Sequence, residues 1–229
     1  MSVHSLDRPI WGALTSRQSA FSEGGALARR YQRGIIPFAA TGSDDPDSLR
    51  ALSALLLDDE SLMVAQASQI TLPPATVATL TARVVQMIAE KPLPDAGGDE
   101  IERLSKTDAQ EMLDLATLTK PGPFSLRAGE LGEFWGVKRD GRLVAMAGER
   151  MKQDGFSELS GVCSHPDVRG QGLGRRLSVF VARRIAARGD VPFLHAWETN
   201  HAAIGLYESI GFRLRTTLNL AVIKRSSRT

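Results

Sequence analysis

Three glycines stand at alternate positions in Arg169-Gly170-Gln171-Gly172-Leu173-Gly174, and Arg175-Arg176 follows at once. Glycines so spaced let backbone N–H groups reach a ligand with no Cβ in the way. A helix is predicted to start here, because Leu173, Leu177, Phe180, Val181 and Ile185 recur at spacings of three and four. The first turn of a helix offers unpaired N–H donors and the positive end of its dipole. The segment therefore reads as a receptor for phosphate or pyrophosphate. Gly170, Gln171, Gly172, Leu173, Gly174 and Arg175 would bind through the backbone, with Arg169 and Arg175 as charge supports. A plain turn before a helix is the competing reading. A Walker loop is excluded because Gly174 is followed by Arg175. A dinucleotide fingerprint is excluded because the order is GxGxG, not GxGxxG.

Few other chemistries fit. The four histidines, His4, His165, His195 and His201, form no HxxxH pair, and the one cysteine, Cys163, has strand neighbours, so no metal is expected. No GxSxG elbow is present. The 229 residues are 42% hydrophobic with a net charge of +2, enough apolar content for a real core and no dense basic patch for nucleic acid. Neither a signal-peptide pattern nor a run of 18 apolar residues is seen, so a soluble cytoplasmic protein with no membrane role is expected.

The elements that must position the glycines are legible around them. Phe156 to Cys163 is a predicted strand, and Pro166 breaks the chain before the loop. After the helix and its stop at Gly189 comes an apolar strand, Pro192 to Trp197. Asn200 can cap a helix from His201 to Ser209, and Leu214 to Ile223 supplies two strands or one bent one. Upstream, Ile101 to Leu104 reads as a strand and Thr107 or Asp108 as the cap of a helix with Met112, Leu115 and Leu118. Lys138-Arg139-Asp140-Gly141 is a hairpin turn between Glu133–Val137 and Leu143–Gly148. The fold class expected is mixed α/β, with helices on both faces of one sheet.

Residues Glu158 to Phe212 resemble the core of the GCN5-related N-acetyltransferase (GNAT) superfamily, in particular its FR47-like branch. The glycine loop matches that family's acyl-CoA loop. Asn200-His201-Ala202-Ala203-Ile204-Gly205-Leu206-Tyr207-Glu208-Ser209-Ile210-Gly211-Phe212 matches its later signature, and Glu158 to Pro166 resembles its fourth strand. The resemblance covers roughly residues 98 to 225 and implies a GNAT-like acyl-CoA N-acyltransferase fold. It implies acetyl-CoA (coenzyme A) as co-substrate, and acetyl transfer by direct attack of the primary amine of a small molecule or peptide on the thioester. A non-catalytic acyl-CoA-binding or sensing module is the alternative.

The resemblance also implies roles. Tyr207 is the candidate general acid, since a phenol carries the proton a leaving thiolate needs; a core tyrosine is the plainer reading. The backbone near Val162 and Cys163 would run beside the pantetheine arm and could polarise the thioester carbonyl. Asn200 would hydrogen-bond the cofactor, cap its helix, or do both. Glu158 is the candidate general base, directly or through water, unless its strand turns it to solvent. Glu133 is a weaker candidate. If the amine loses its proton to water, neither carboxylate is required.

Residues 1–97 are expected to be an accessory region, or else a degenerate GNAT-like half, ahead of a domain at 98–229 behind the Lys91–Asp99 linker. Asp47 is the expected cap of a helix carrying Leu49, Leu52 and Leu55 to Leu57. Glu60 to Ala67 reads as a strand and Thr76 to Ile88 as a helix. This region and Phe124 to Glu133 are expected to shape the acceptor cleft, with a homodimer through the first half as another use. A fragment from about residue 97 is expected to keep acetyl-CoA binding.

Overall fold

Strands from both halves of the chain interleave in one large sheet. The computed structural model describes residues 4–97 and 100–226. The strands are β1 (Ser22–Gly24), β2 (Ala28–Tyr31), β3 (Ala39–Thr41), β4 (Leu62–Gln66), β5 (Thr76–Ala89), β6 (Glu102–Leu104), β7 (Phe134–Arg139), β8 (Arg142–Gln153), β9 (Phe156–Ser164), β10 (Val191–Trp197) and β11 (Phe212–Arg225). The helices are α1 (Pro9–Thr15), α2 (Pro46–Leu55), α3 (Ala109–Thr119), α4 (Leu173–Ala187) and α5 (His201–Ser209). Eight strands form the sheet in the order β4-β11-β5-β10-β9-β8-β7-β6; β1-β2-β3 form a small second sheet.

The local reasons are visible in the residues. Asp140 and Gly141 both have positive φ, 51° and 74°, which suits the tight turn joining β7 to β8. The antiparallel ladder runs through β7, β8 and β9, whereas β10 lies parallel to β9. Parallel neighbours need a crossover, and α4 supplies it. Alternation along the strands divides the core between two faces. Val137, Ala145, Ala147 and Leu159 pack with Leu177, Val181 and Ile185 of α4. Phe134, Met146 and Cys163 pack instead with Met112 and Leu115 of α3. The mixed α/β fold with helices on both faces is as expected.

One expectation for the first half is corrected. Thr76 to Ile88 is not a helix but most of β5. Thr76, Val77, Thr79, Thr81, Val84, Val85 and Ile88 are β-branched, and such side chains fit a pleated surface better than a helix. The large sheet takes strands from both sides of residues 97/98. β5 pairs with β11 along nearly its whole length and with β10 from Val84 to Ile88, while β4 closes the far edge on β11. The cores are shared too. Leu6, Ile10, Leu14, Tyr31 and Phe38 cluster with Leu131, Met151 and Phe193. Among the described residues, the first half adds strands to the large sheet and carries the small β1-β2-β3 sheet.

Candidate active site

β9 and β10 are joined by only three residue pairs, Phe156–Val191, Ser157–Pro192 and Glu158–Phe193. Beyond Glu158 both strands continue without pairing to each other, so the β10-facing edge of β9 is left open. On its other edge β9 bulges. Cys163 stands opposite Met146 and Ser160 opposite Gly148, leaving Gly161 and Val162 against Ala147 alone. Gly161 has φ +64°, and a Cβ there would come within 2.9 Å of the Phe134 ring, so the bulge requires glycine. The bulge lies beside the gap between the strands. Val162 lines the cleft there, whereas the Cys163 side chain lies in the core beneath α3. Burial pushes the Cys163 thiol up to about 11, which keeps it protonated and unsuited to nucleophilic work.

The glycine loop leads from β9 into α4. Gly170 and Gly172 have positive φ, 79° and 76°, and nothing lies within 4 Å of where either Cβ would be. Gly172 is the N-cap of α4 and gives its first turn no side-chain hydrogen bond. The first-turn amides of Leu173, Gly174 and Arg175 therefore begin an uncapped 15-residue helix beside open space. A Cβ on Gly174 would lie 3.9 Å from Val162, so the loop adjoins the cleft wall. Arg169, Gln171 and Arg175 are exposed, and neither arginine forms an ion pair among the described residues. Among those residues no group of three or more His, Cys, Asp or Glu is placed to hold a metal ion, and no helix is long and apolar enough to cross a membrane.

A cavity of about 190 Å³ opens at the gap between the strands. Val162, Asn200, Ala203 and Tyr207 line one part of it. Asn200 Oδ1 accepts a hydrogen bond from the Ala203 N–H at 3.1 Å, so its capping role is seen directly. Tyr207 is half-buried, its ring edge-on to Phe212 at 6.0 Å between centroids. Burial raises its phenol to about 12, and among the described residues the hydroxyl has no hydrogen-bond partner. Further lining comes from Lys120 to Pro123, Arg150, His195, Trp197 and Leu220, and from the first half of the chain through Ile10, Phe38, Met63 and Val84 among others. The first half thus borders this cavity. Phe124 to Glu133 does not; it lines a separate groove of about 700 Å³ with β6 and the start of α3.

Glu158 departs from the part expected of it. Its side chain has no solvent exposure. Arg150 Nε donates to its Oε2 at 2.8 Å and Arg150 Nη2 to its Oε1 at 2.6 Å. The Met151 N–H and His195 Nδ1 complete the shell, at 3.2 and 2.8 Å. Burial pushes the carboxyl up, but the charge and hydrogen bonds of Arg150, helped by the hydrogen bond from His195, outweigh it and hold Glu158 at about 2. A carboxylate so acidic and so enclosed is a poor acceptor of a substrate proton. Glu133 is no replacement, being paired with Arg103 at 2.8 Å on the other groove.

His195 is also committed. Gln86 Nε2 lies 2.9 Å from His195 Nε2 and donates to the Leu6 carbonyl at 3.0 Å, while Gln86 Oε1 accepts from Arg215. Turning the amide over would set donor against donor and acceptor against acceptor. The network therefore puts the His195 proton on Nδ1, facing Glu158, and makes Nε2 an acceptor. Arg150 and the Gln86–His195 link carry no motif. Arg150 reads in sequence as one of several charged residues in Glu149-Arg150-Met151-Lys152, and a bulge between Glu149 and Lys152 breaks the strand alternation there.

Comparison with known proteins agrees with this geometry. A crystal structure from Novosphingobium aromaticivorans DSM 12444, assigned as an acetyltransferase of the GNAT family, is 40% identical and superposes with a TM-score of 0.93 over 98% of this chain and 100% of that one. The chain belongs to the GNAT family. The model of the FR47-like protein family matches residues 135–220. A GCN5-related N-acetyltransferase from Kribbella flavida, 15% identical, shares the fold over 96% of both chains with a TM-score of 0.64. A mycothiol acetyltransferase of Thermomonospora curvata is 36% identical over 77 residues, 33% of this chain and 26% of that protein. The match thus spans about a quarter of the length of that curated relative. GNAT-type acyl transfer is the general activity of this fold.

Proposed function

We propose that this GNAT protein transfers an acetyl group from acetyl-CoA to the primary amine of a small acceptor. The observation that carries this reading is the gap between β9 and β10, with Tyr207 in its lining and the uncapped glycine loop adjoining Val162 on its wall. The residues fit the co-substrate. Gly170 and Gly172 leave room for a pyrophosphate against the amides of Leu173, Gly174 and Arg175, and Arg169 and Arg175 add charge. The open edge of β9 near Val162 and Cys163 offers backbone groups to an amide-bearing arm and one N–H to a thioester carbonyl. Acetyl-CoA, when bound, supplies the activated acyl group. Asn200 stands at the same gap.

Tyr207 holds a proton for the departing sulfur. With its phenol raised to about 12 it stays protonated at all ordinary pH values. A general base is not needed if the cleft itself keeps the amine neutral. Apolar walls disfavour an ammonium ion, so the bound amine loses its proton to water more readily than it would in solution. Glu158 then serves to hold Arg150 and His195 in place.

The test is a coenzyme A release screen over amines, amino acids and short peptides with the wild type and Tyr207→Phe. Turnover is expected with small amines. The variant is expected to lose about 10- to 100-fold in kcat while acetyl-CoA affinity stays near that of the wild type. Tight acetyl-CoA binding with no turnover anywhere in the panel would select the sensing module instead.

A further inference from the structure

Arg150 uses only one edge of its guanidinium. Its Nε and one Nη2 hydrogen face Glu158, at 2.8 and 2.6 Å. A guanidinium has five N–H donors, so the outer Nη1/Nη2 edge keeps three. Among the described residues Nη1 makes no hydrogen bond. That edge faces the cleft. Arg150 lines it, its central carbon lies 5.0 Å from the ring centroid of Phe38, and a Cβ on Gly122 would lie 3.9 Å from Nη1; Phe38 and Gly122 are cleft residues too.

The surroundings select what can sit there. Among the described residues the cleft is lined by no Asp or Glu; its charged residues are Arg150 and Lys120. Lys120 stands at the C-terminal end of α3 with φ 51° and forms no ion pair among the described residues. Ile10, Phe38, Met63, Val84 and Leu220 make the walls apolar. A second cation, such as a polyamine or a lysine-rich peptide brings, finds no counter-charge. A carboxylate finds a planar pair of donors already held in place by Glu158, which fixes the rotamer before the acceptor arrives.

We infer that the acceptor is a small amino acid-like molecule, a primary amine and a carboxylate on one apolar skeleton, and that the outer edge of Arg150 binds the carboxylate. This rests on the acetyl-transfer reading and adds the substrate class. Arg150 is a specificity residue, and the apolar body packs against Phe38 and Met63.

The experiment compares matched acceptors on the full chain: phenylalanine with phenethylamine and with phenylalanine amide, and leucine with isoamylamine and leucine amide. Acetyl-CoA binding is measured separately by calorimetry. The carboxylated member of each set is expected to have a kcat/KM at least about 10-fold higher, chiefly through KM. Arg150→Lys keeps a charge beside Glu158 but loses the second planar edge, and is expected to bring that ratio towards one. Lys120→Glu, on the exposed rim, is expected to lower the ratio as well and leaves the buried pair intact if Arg150→Lys does not fold. Equal or better turnover of the amines lacking a carboxylate overturns the inference and leaves acetyl transfer standing. So does turnover of no member of any set while acetyl-CoA binds. Absence of acetyl-CoA binding overturns both.

Discussion

At the scale of single residues, two positions separate binding from scaffolding. Gly172 sits at φ +76° with open space where a Cβ would go. Gly172→Glu would send a carboxylate towards the amides of Leu173 to Arg175, where the pyrophosphate is proposed to lie. Coenzyme A affinity is expected to fall at least about 100-fold by calorimetry, since a negative group then occupies an anion site. Part of any loss is backbone strain, about 1–2 kcal/mol for a left-handed residue other than glycine. Gly172→Gln measures that part, because it carries the same strain and bulk as glutamate without the charge; equal losses in both variants would refute the anion site. Glu158 is the scaffolding case. Glu158→Gln leaves the Arg150 charge buried without its partner and is expected to cost about 3–5 kcal/mol of stability at neutral pH. The sign with pH follows from the depressed carboxyl. Its contribution is full above the ordinary value of 4.5 and is lost as pH falls towards about 2. Urea midpoints of the wild type are therefore expected to drop more between pH 6 and pH 3 than those of the variant. Parallel drops would remove Glu158 from the acid response.

At the scale of elements, β5 decides how much of the chain is needed. It lies between β10 and β11, so a fragment beginning near residue 97 would lose both its central partner and the β4 edge. Such a fragment is expected to be unfolded or aggregated, with no cooperative melt by circular dichroism, in contrast to the expectation drawn from sequence that it would still bind acetyl-CoA. A folded, acetyl-CoA-binding fragment would show that β5 is dispensable. The glycine loop, the α4 stripe and the α5 cap are local patterns, and each is written in consecutive residues from Arg169 to Phe212. The α5 range, His201–Ser209, is the expected one. The place of β5 depends on pairing with residues more than a hundred positions away, which no local pattern in Thr76 to Ile88 records. The cleft was half legible for the same reason. Tyr207, Asn200 and Val162 come from motifs, whereas Arg150, Phe38 and Met63 meet only through the sheet and a bulge that breaks alternation.

At the scale of the whole molecule, the shared cores predict one unfolding transition. Ile10, Leu14, Tyr31 and Phe38 from the first half are buried with Leu131, Met151 and Phe193 from the second, so neither half keeps its apolar surface covered alone. The three tryptophans make this measurable. Trp11 lies in α1 and packs against that shared cluster. Trp135 lies on β7, with its ring 4.9 Å from Phe180 and the Arg184 guanidinium 4.3 Å above it. A protein with Trp135→Phe and Trp197→Phe reports through Trp11; one with Trp11→Phe and Trp197→Phe reports through Trp135. Each reporter's urea curve is expected to coincide with the far-ultraviolet circular dichroism curve of the same protein. Acetyl-CoA sharpens the test. Its proposed contacts all fall after Gly161, yet in a single cooperative unit binding stabilises every part by the same amount. The midpoint seen by Trp11 is therefore expected to rise with acetyl-CoA concentration as much as the midpoint seen by Trp135. A ligand-sensitive transition at Trp135 beside an insensitive one at Trp11 would mean that the first half folds as a unit of its own, and that its place against the cleft is a docking rather than a shared core.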